Sequence, residues 1–107
     1  MLLNRNLGKQ FISHVELANL VSREFGTPMS QVLPEMQRRW ESGESDHMTE
    51  EIHGGPRKYV EHLKGSISER GMRKPIKVKD GAVVDGNHRA VAAIELGLEK
   101  IPVKVVR

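Results

Sequence analysis

Asp85-Gly86-Asn87-His88-Arg89 lies between the apolar run Ala82-Val83-Val84 and the alanine-rich run Ala90-Val91-Ala92-Ala93-Ile94-Glu95-Leu96, and the architecture of the chain turns on it. The first run has the length and branching of a short buried strand, the second the pattern of a helix. Gly86 permits a sharp turn, and Asn87 suits the N-cap of the helix after it. A helix starting there offers free N–H groups and the positive end of its dipole, so a phosphate is held by backbone before any side chain acts. His88 and Arg89 then add one titratable and one permanent donor in the first turn. Gly86, Asn87, His88 and Arg89 are therefore the phosphate- or nucleotide-binding candidates.

Downstream, Gly97 suits the left-handed residue that closes this helix, and Ile101-Pro102-Val103-Lys104-Val105-Val106 reads as a strand. Upstream, Pro75-Ile76-Lys77-Val78-Lys79 alternates apolar and basic residues, and Asp80-Gly81 is a two-residue hairpin signal. The pieces form strand, hairpin, strand, helix, strand. The helix after Asp85 is expected to be the crossover of a β-α-β unit, which puts the turn at a strand's carboxyl end. Before it, Pro56 opens and Gly71 closes an amphipathic helix carrying Tyr59, Val60, Leu63 and Ile67, expected to pack on the sheet.

The first half is read less directly. Ser13 and Glu16 have capping-box spacing, which predicts a helix to about Arg23; a competing reading makes Gln10-Phe11-Ile12 a short edge strand followed by a turn or brief helix. Pro34 is expected to open a second helix, with Met36 and Trp40 on one face. Residues 42–47 are polar and read as a loop.

The chain of 107 residues has one domain's length, with residues 1–50 a variable, partly helical segment and 51–107 the core. It has no cysteine, which excludes thiol chemistry and disulfides. No run approaches membrane-spanning length, so a soluble cytoplasmic protein with no membrane partner is the expectation. The net charge is +3, unevenly spread: residues 1–50 hold 5 basic and 7 acidic side chains, residues 51–107 hold 12 and 7. Arg73, Lys74, Lys77 and Lys79 lie in the basic half and are the nucleic-acid-binding candidates.

Taken together, Gly71-Met72-Arg73-Lys74-Pro75-Ile76-Lys77-Val78, the stretch from Val84 to Ala93, Leu96-Gly97 and Ile101-Pro102-Val103 resemble the ParB/sulfiredoxin-like superfamily. The resemblance spans residues 56–106. It implies an α+β fold, a small mixed β-sheet with packed helices, here with a helical N-terminal segment. Sulfiredoxins carry a reactive Cys before His-Arg; Asn87 stands at that position, so sulfiredoxin activity is excluded. Partition ParB proteins bind CTP phosphates through Gly-x-Arg-Arg and continue into a DNA reader; here His88 replaces the first Arg, and no such reader is expected after Val106. Free-serine kinases of this fold share an Asp-Gly-x-His-Arg-like turn and draw an acidic base from earlier in the chain, for which Glu16 is the candidate. The chain most resembles the short stand-alone ParB-like nucleases of phages and mobile elements.

Two functions are expected from this resemblance. One is a binding domain for nucleic acid or nucleotide phosphates at the 85–89 turn. The other is a nuclease or nucleotide-dependent phosphotransferase using that turn, with Asp85, His88 and Glu16 as catalytic candidates. The candidate cofactor is a nucleotide (CTP, ATP or ADP) with Mg2+, and no dedicated metal-ligand set is expected. DNA or a nucleotide is the expected partner, with a host protein, as for a phage interaction factor, or a second copy of the chain as alternatives. Asp85 has a further reading, as a turn residue that fixes Arg89 or His88. His14, His47, His53 and His62 read as isolated, and Tyr59 and Trp40 as either base-stacking or core aromatics.

Overall fold

A computed structural model describes residues 8–45 and 47–107. The chain runs β1 (Gly8–Ile12), α1 (His14–Ala18), β2 (Val21–Ser22), a 3-10 turn (Met29–Gln31), α2 (Val32–Glu41), α3 (Met48–His53), α4 (Pro56–Arg70), β3 (Ile76–Lys79), β4 (Ala82–Asp85), α5 (Asn87–Glu95) and β5 (Ile101–Val105). The strands form one mixed sheet in the order β1-β5-β3-β4-β2. The architecture is α+β, as the resemblance implies.

The β3–β4 hairpin turns on Asp80 and Gly81, both at positive φ (51° and 75°), the mirror-image turn whose twist matches the strands. Lys79 pairs with Ala82 and Val78 with Val83, but Lys77 pairs with Asp85, so Val84 is an extra residue in β4. Such a bulge bends the strand and re-aims the residues after it. It lies immediately before the 85–89 turn.

Strand direction corrects the crossover reading. β3 is antiparallel to β4 and parallel to β5, so β4 and β5 run in opposite directions with β3 between them. The helix between them is thus not a β-α-β crossover, although the turn does sit at the carboxyl end of β4. α4 packs against α5, α2 and α3, and its buried Val60 and Ile67 belong to the same core cluster as the sheet residues Ile76, Val78, Val83, Ile101 and Val103.

In the first half the competing reading holds. β1 pairs antiparallel with β5, and α1 ends at Ala18, after which Val21 and Ser22 pair with β4. Ser13 does cap α1, its hydroxyl accepting from the Glu16 N–H at 3.3 Å. Pro34 is the third residue of α2, which opens at Val32, and α3 occurs where no helix was expected.

The core joins both halves. Leu17, Met29, Val32 and Met36 are fully buried with Ile76, Val78, Val83, Ile101 and Val103, and with the Ala90, Ala92 and Ala93 face of α5. Each large apolar side chain so buried contributes roughly 1.5–3 kcal/mol. The small alanine face lets α5 sit close to the sheet, which holds its N-terminus against β4 and β2.

Candidate functional site

The N-cap of α5 is Gly86, at φ 95°, not Asn87, which is the first helical residue. A left-handed residue after β4 reverses the chain in one step and so starts the helix one position earlier than an Asn87 cap would. No side chain caps α5, and its ladder begins with the Ala90 N–H to the Gly86 carbonyl at 2.8 Å. The N–H groups of Asn87, His88 and Arg89 therefore have no helical acceptor. The Asn87 side chain is turned inward. Its carbonyl oxygen accepts from the buried Ser22 hydroxyl at 2.7 Å, and that hydroxyl accepts the Phe25 N–H at 3.2 Å. Asn87 thus offers an anion its backbone, while its side chain fastens β2 to α5.

His88 is buried, and its Nε2 donates to the Glu50 carboxylate at 2.5 Å. Glu50, also buried, takes the Ser45 hydroxyl on its other oxygen at 2.7 Å. Burial pushes the His88 imidazole below its ordinary value of 6.5, opposed by the Glu50 bond and charge. A neutral ring that donates from Nε2 keeps Nδ1 as an acceptor. The arrangement is a carboxylate-oriented base at a helix N-terminus.

Arg89 folds back beneath the turn. Its guanidinium donates to the Pro75 carbonyl at 3.3 Å and lies 3.8 Å from Asp85, while its Nε is buried without a hydrogen-bond partner. A Cβ on Gly86 would fall 2.7 Å from the Arg89 Nη2 and would have to displace it, on a backbone whose φ of 95° already favours glycine. Arg89 is not paired with Glu95, which binds Lys64 instead at 3.2 Å. The reading of Asp85 as a turn residue that fixes Arg89 matches this contact.

These groups border a cleft of about 130 Å3 whose rim also includes Glu24, His47, Tyr59 and Asp85. Arg89 forms its wall toward a second groove lined by Arg70, Arg73 and Lys74. Lys77 and Lys79 lie on β3 outside both, Lys77 exposed and in register with Asp85. Among the described residues none of Arg70, Arg73, Lys74, Lys77 and Lys79 forms an ion pair. Arg38 and Arg39, by contrast, are tied to Glu35, whose carboxyl they hold down at about 2.

Glu16 is not at the cleft. It sits in the first turn of α1 beside Ser13, apart from the residues that line the cleft. The carboxylates nearest the turn are Glu24, Glu50 and Asp85. Neither Glu24 nor Glu50 had a signal in the sequence, and α3 reads backwards: Met48 and Ile52 are each 73% exposed while Glu50 is 2% exposed. Three of the histidines read as isolated, His47, His53 and His62, are in fact ring neighbours. His62, His53, Tyr59, His88 and His47 form a row of rings with successive centroids 4.5, 4.9, 4.8 and 4.9 Å apart, which bends at the buried His88 so that His47 lies 6.4 Å from Tyr59. Trp40 stands apart from that row, against Gly55. Among the described residues no three or more His, Asp or Glu side chains are gathered to hold a metal ion, and no helix is long and apolar enough to cross a membrane.

No curated protein and no solved structure matches the chain. The ParB N-terminal domain family matches residues 47–107, which include α3, α4, the hairpin, the 85–89 turn and β5. That segment is more than half of the chain and holds both the open end of α5 and the basic groove beside it: the chain belongs to the ParB N-terminal domain family.

Proposed function

We propose that the protein binds nucleic acid, seating a backbone phosphate at the N-terminus of α5 and the neighbouring phosphates on Arg70, Arg73 and Lys74. The observation that carries this reading is the groove beside the cleft, joined to it by Arg89, in which Arg70, Arg73 and Lys74 have no ion-pair partner among the described residues. Unpaired cations along one surface release counterions when a polyanion docks, which is the main source of sequence-independent affinity. Membership of the ParB N-terminal domain family supports the same partner class. Cleft size favours a phosphate over a whole nucleotide, because pockets that enclose drug-sized ligands run to about 300–1,000 Å3 and this one is about 130 Å3.

The test is anisotropy of labelled DNA over a salt series. Affinity is expected to fall steeply with salt, and the log–log slope to shrink by about one for each of Arg73→Ala and Lys74→Ala. An absence of binding at low salt, or an unchanged slope in the double variant, overturns the reading.

A second reading rests on the His88–Glu50 pair. A buried, carboxylate-oriented imidazole beside phosphate-binding N–H groups is also what phosphoryl transfer or phosphodiester cleavage requires of a base. Glu24 and Asp85 supply oxygen donors suited to Mg2+, which binds through one or two carboxylates plus substrate phosphates. Bound there, the ion would neutralise charge on a phosphoryl oxygen. His88 would hold or accept the proton at Nδ1, and Glu50 would keep the ring oriented. Magnesium-dependent turnover of ATP, ADP or DNA that disappears in His88→Ala would establish this reading, and turnover equal to that variant would remove it.

A further inference from the structure

We infer that the row His62, His53, Tyr59, His88 and His47 is a base-stacking platform, and that the nucleic acid is therefore single-stranded. The inference rests on the nucleic-acid reading of the cleft and adds the strandedness of the ligand.

The row is not part of the hydrophobic core. His47 and His62 at its two ends are exposed, and His53 and Tyr59 between them are half-buried. His53 and Tyr59 are stacked with their planes 11° apart. The chain has one tyrosine and few other aromatics, and it places that tyrosine on the surface at the cleft rather than in the apolar interior. The rings at the two ends of the array are the solvent-exposed ones. Arg57 and Lys58 precede Tyr59 on α4, both exposed and without ion pairs among the described residues.

Position decides the strandedness. His47 and Tyr59 border the same cleft as the α5 N-terminus, so a nucleotide whose phosphate enters the cleft has its base beside those rings. Arg89 and the groove of Arg70, Arg73 and Lys74 lie on the other side. A single strand can send bases to one side and phosphates to the other. A duplex keeps its bases stacked within, and could reach only the basic side.

The wild-type protein tests this with three labelled probes of equal length: a single strand, its duplex and an abasic strand with the same phosphates. The single strand is expected to bind at least about fivefold more tightly than the abasic strand, the gain from one stacked base, and more tightly than the duplex. Tyr59→Leu, if its thermal melt is that of a folded protein, is expected to lose the preference over the abasic strand while keeping the salt slope; Tyr59→Phe is expected to retain both. Equal affinity for strand and abasic strand, a duplex bound as tightly as the strand, or a preference that survives Tyr59→Leu overturns the inference and leaves the nucleic-acid reading standing. Failure of all three probes to bind removes that reading, and this inference with it.

Discussion

The imidazole of His88 and the carboxylate of Glu50 meet at 2.5 Å, both buried, across 38 residues of sequence. Glu50 also holds Ser45, so one carboxylate ties the loop before α3 to the first turn of α5. Glu50→Ala leaves the His88 donor without its partner and is expected to cost about 1–3 kcal/mol in denaturant unfolding, the penalty of a buried unsatisfied group. Glu50→Gln restores an acceptor and is expected to recover part of that loss.

The same pair sets a pH dependence. Burial lowers the folded pKa of His88 below 6.5, so the unfolded chain takes up the proton first as pH falls. This contribution to stability is complete above the unfolded value and is lost as pH falls through the window between the unfolded value and the lowered folded one. The midpoint of thermal unfolding is expected to drop on going from pH 7 to pH 5, with a shallower drop in His88→Gln. Parallel profiles for the two proteins would refute this assignment.

Gly86→Ala places a methyl group against the Arg89 guanidinium and the Ile76 side chain at a φ of 95°. The left-handed backbone alone costs about 1–2 kcal/mol. Unfolding in urea is expected to reveal at least that loss, and DNA affinity should fall because the N–H groups of α5 are displaced.

Asp85 separates binding from catalysis. Its carboxylate is half exposed at the cleft rim, where it repels a polyanion. Without magnesium, Asp85→Asn is expected to raise DNA affinity by up to about fivefold, the upper range for one exposed charge pair. If the cleft is an enzyme's, the same variant should lose magnesium-dependent turnover.

Arg38→Ala provides the contrast for the basic groove. Its guanidinium already serves Glu35 and Glu44, so it has little charge to offer phosphate. Its salt slope for DNA is expected to equal that of the unaltered protein, whereas Lys74→Ala should lower it by about one.

The elements legible in the sequence were those specified by neighbours in the chain. Asp80-Gly81 dictates its own turn, Pro56 and Gly71 bound α4, and Gly97 comes after α5 at φ 65°. Strand direction escaped because it depends on where β3 inserts, which nothing within the 82–106 stretch encodes. The N-cap was misplaced by one residue because the left-handed Gly86 took the position that Asn87 suits by type. Glu50 and the histidine row escaped for a related reason. Their contacts are made between α3, α4 and α5, and α3 turns its apolar residues outward, so periodicity conceals which side is buried.

Both margins of the sheet, β1 and β2, come from residues ahead of 47, while the family match supplies the three inner strands. A segment excised at that boundary would carry β5 and β4 with bare hydrogen-bonding edges, and unguarded edges recruit strands from other molecules. The recognisable portion is thus not an interchangeable cassette: the less familiar leading residues cover both of its outer strands.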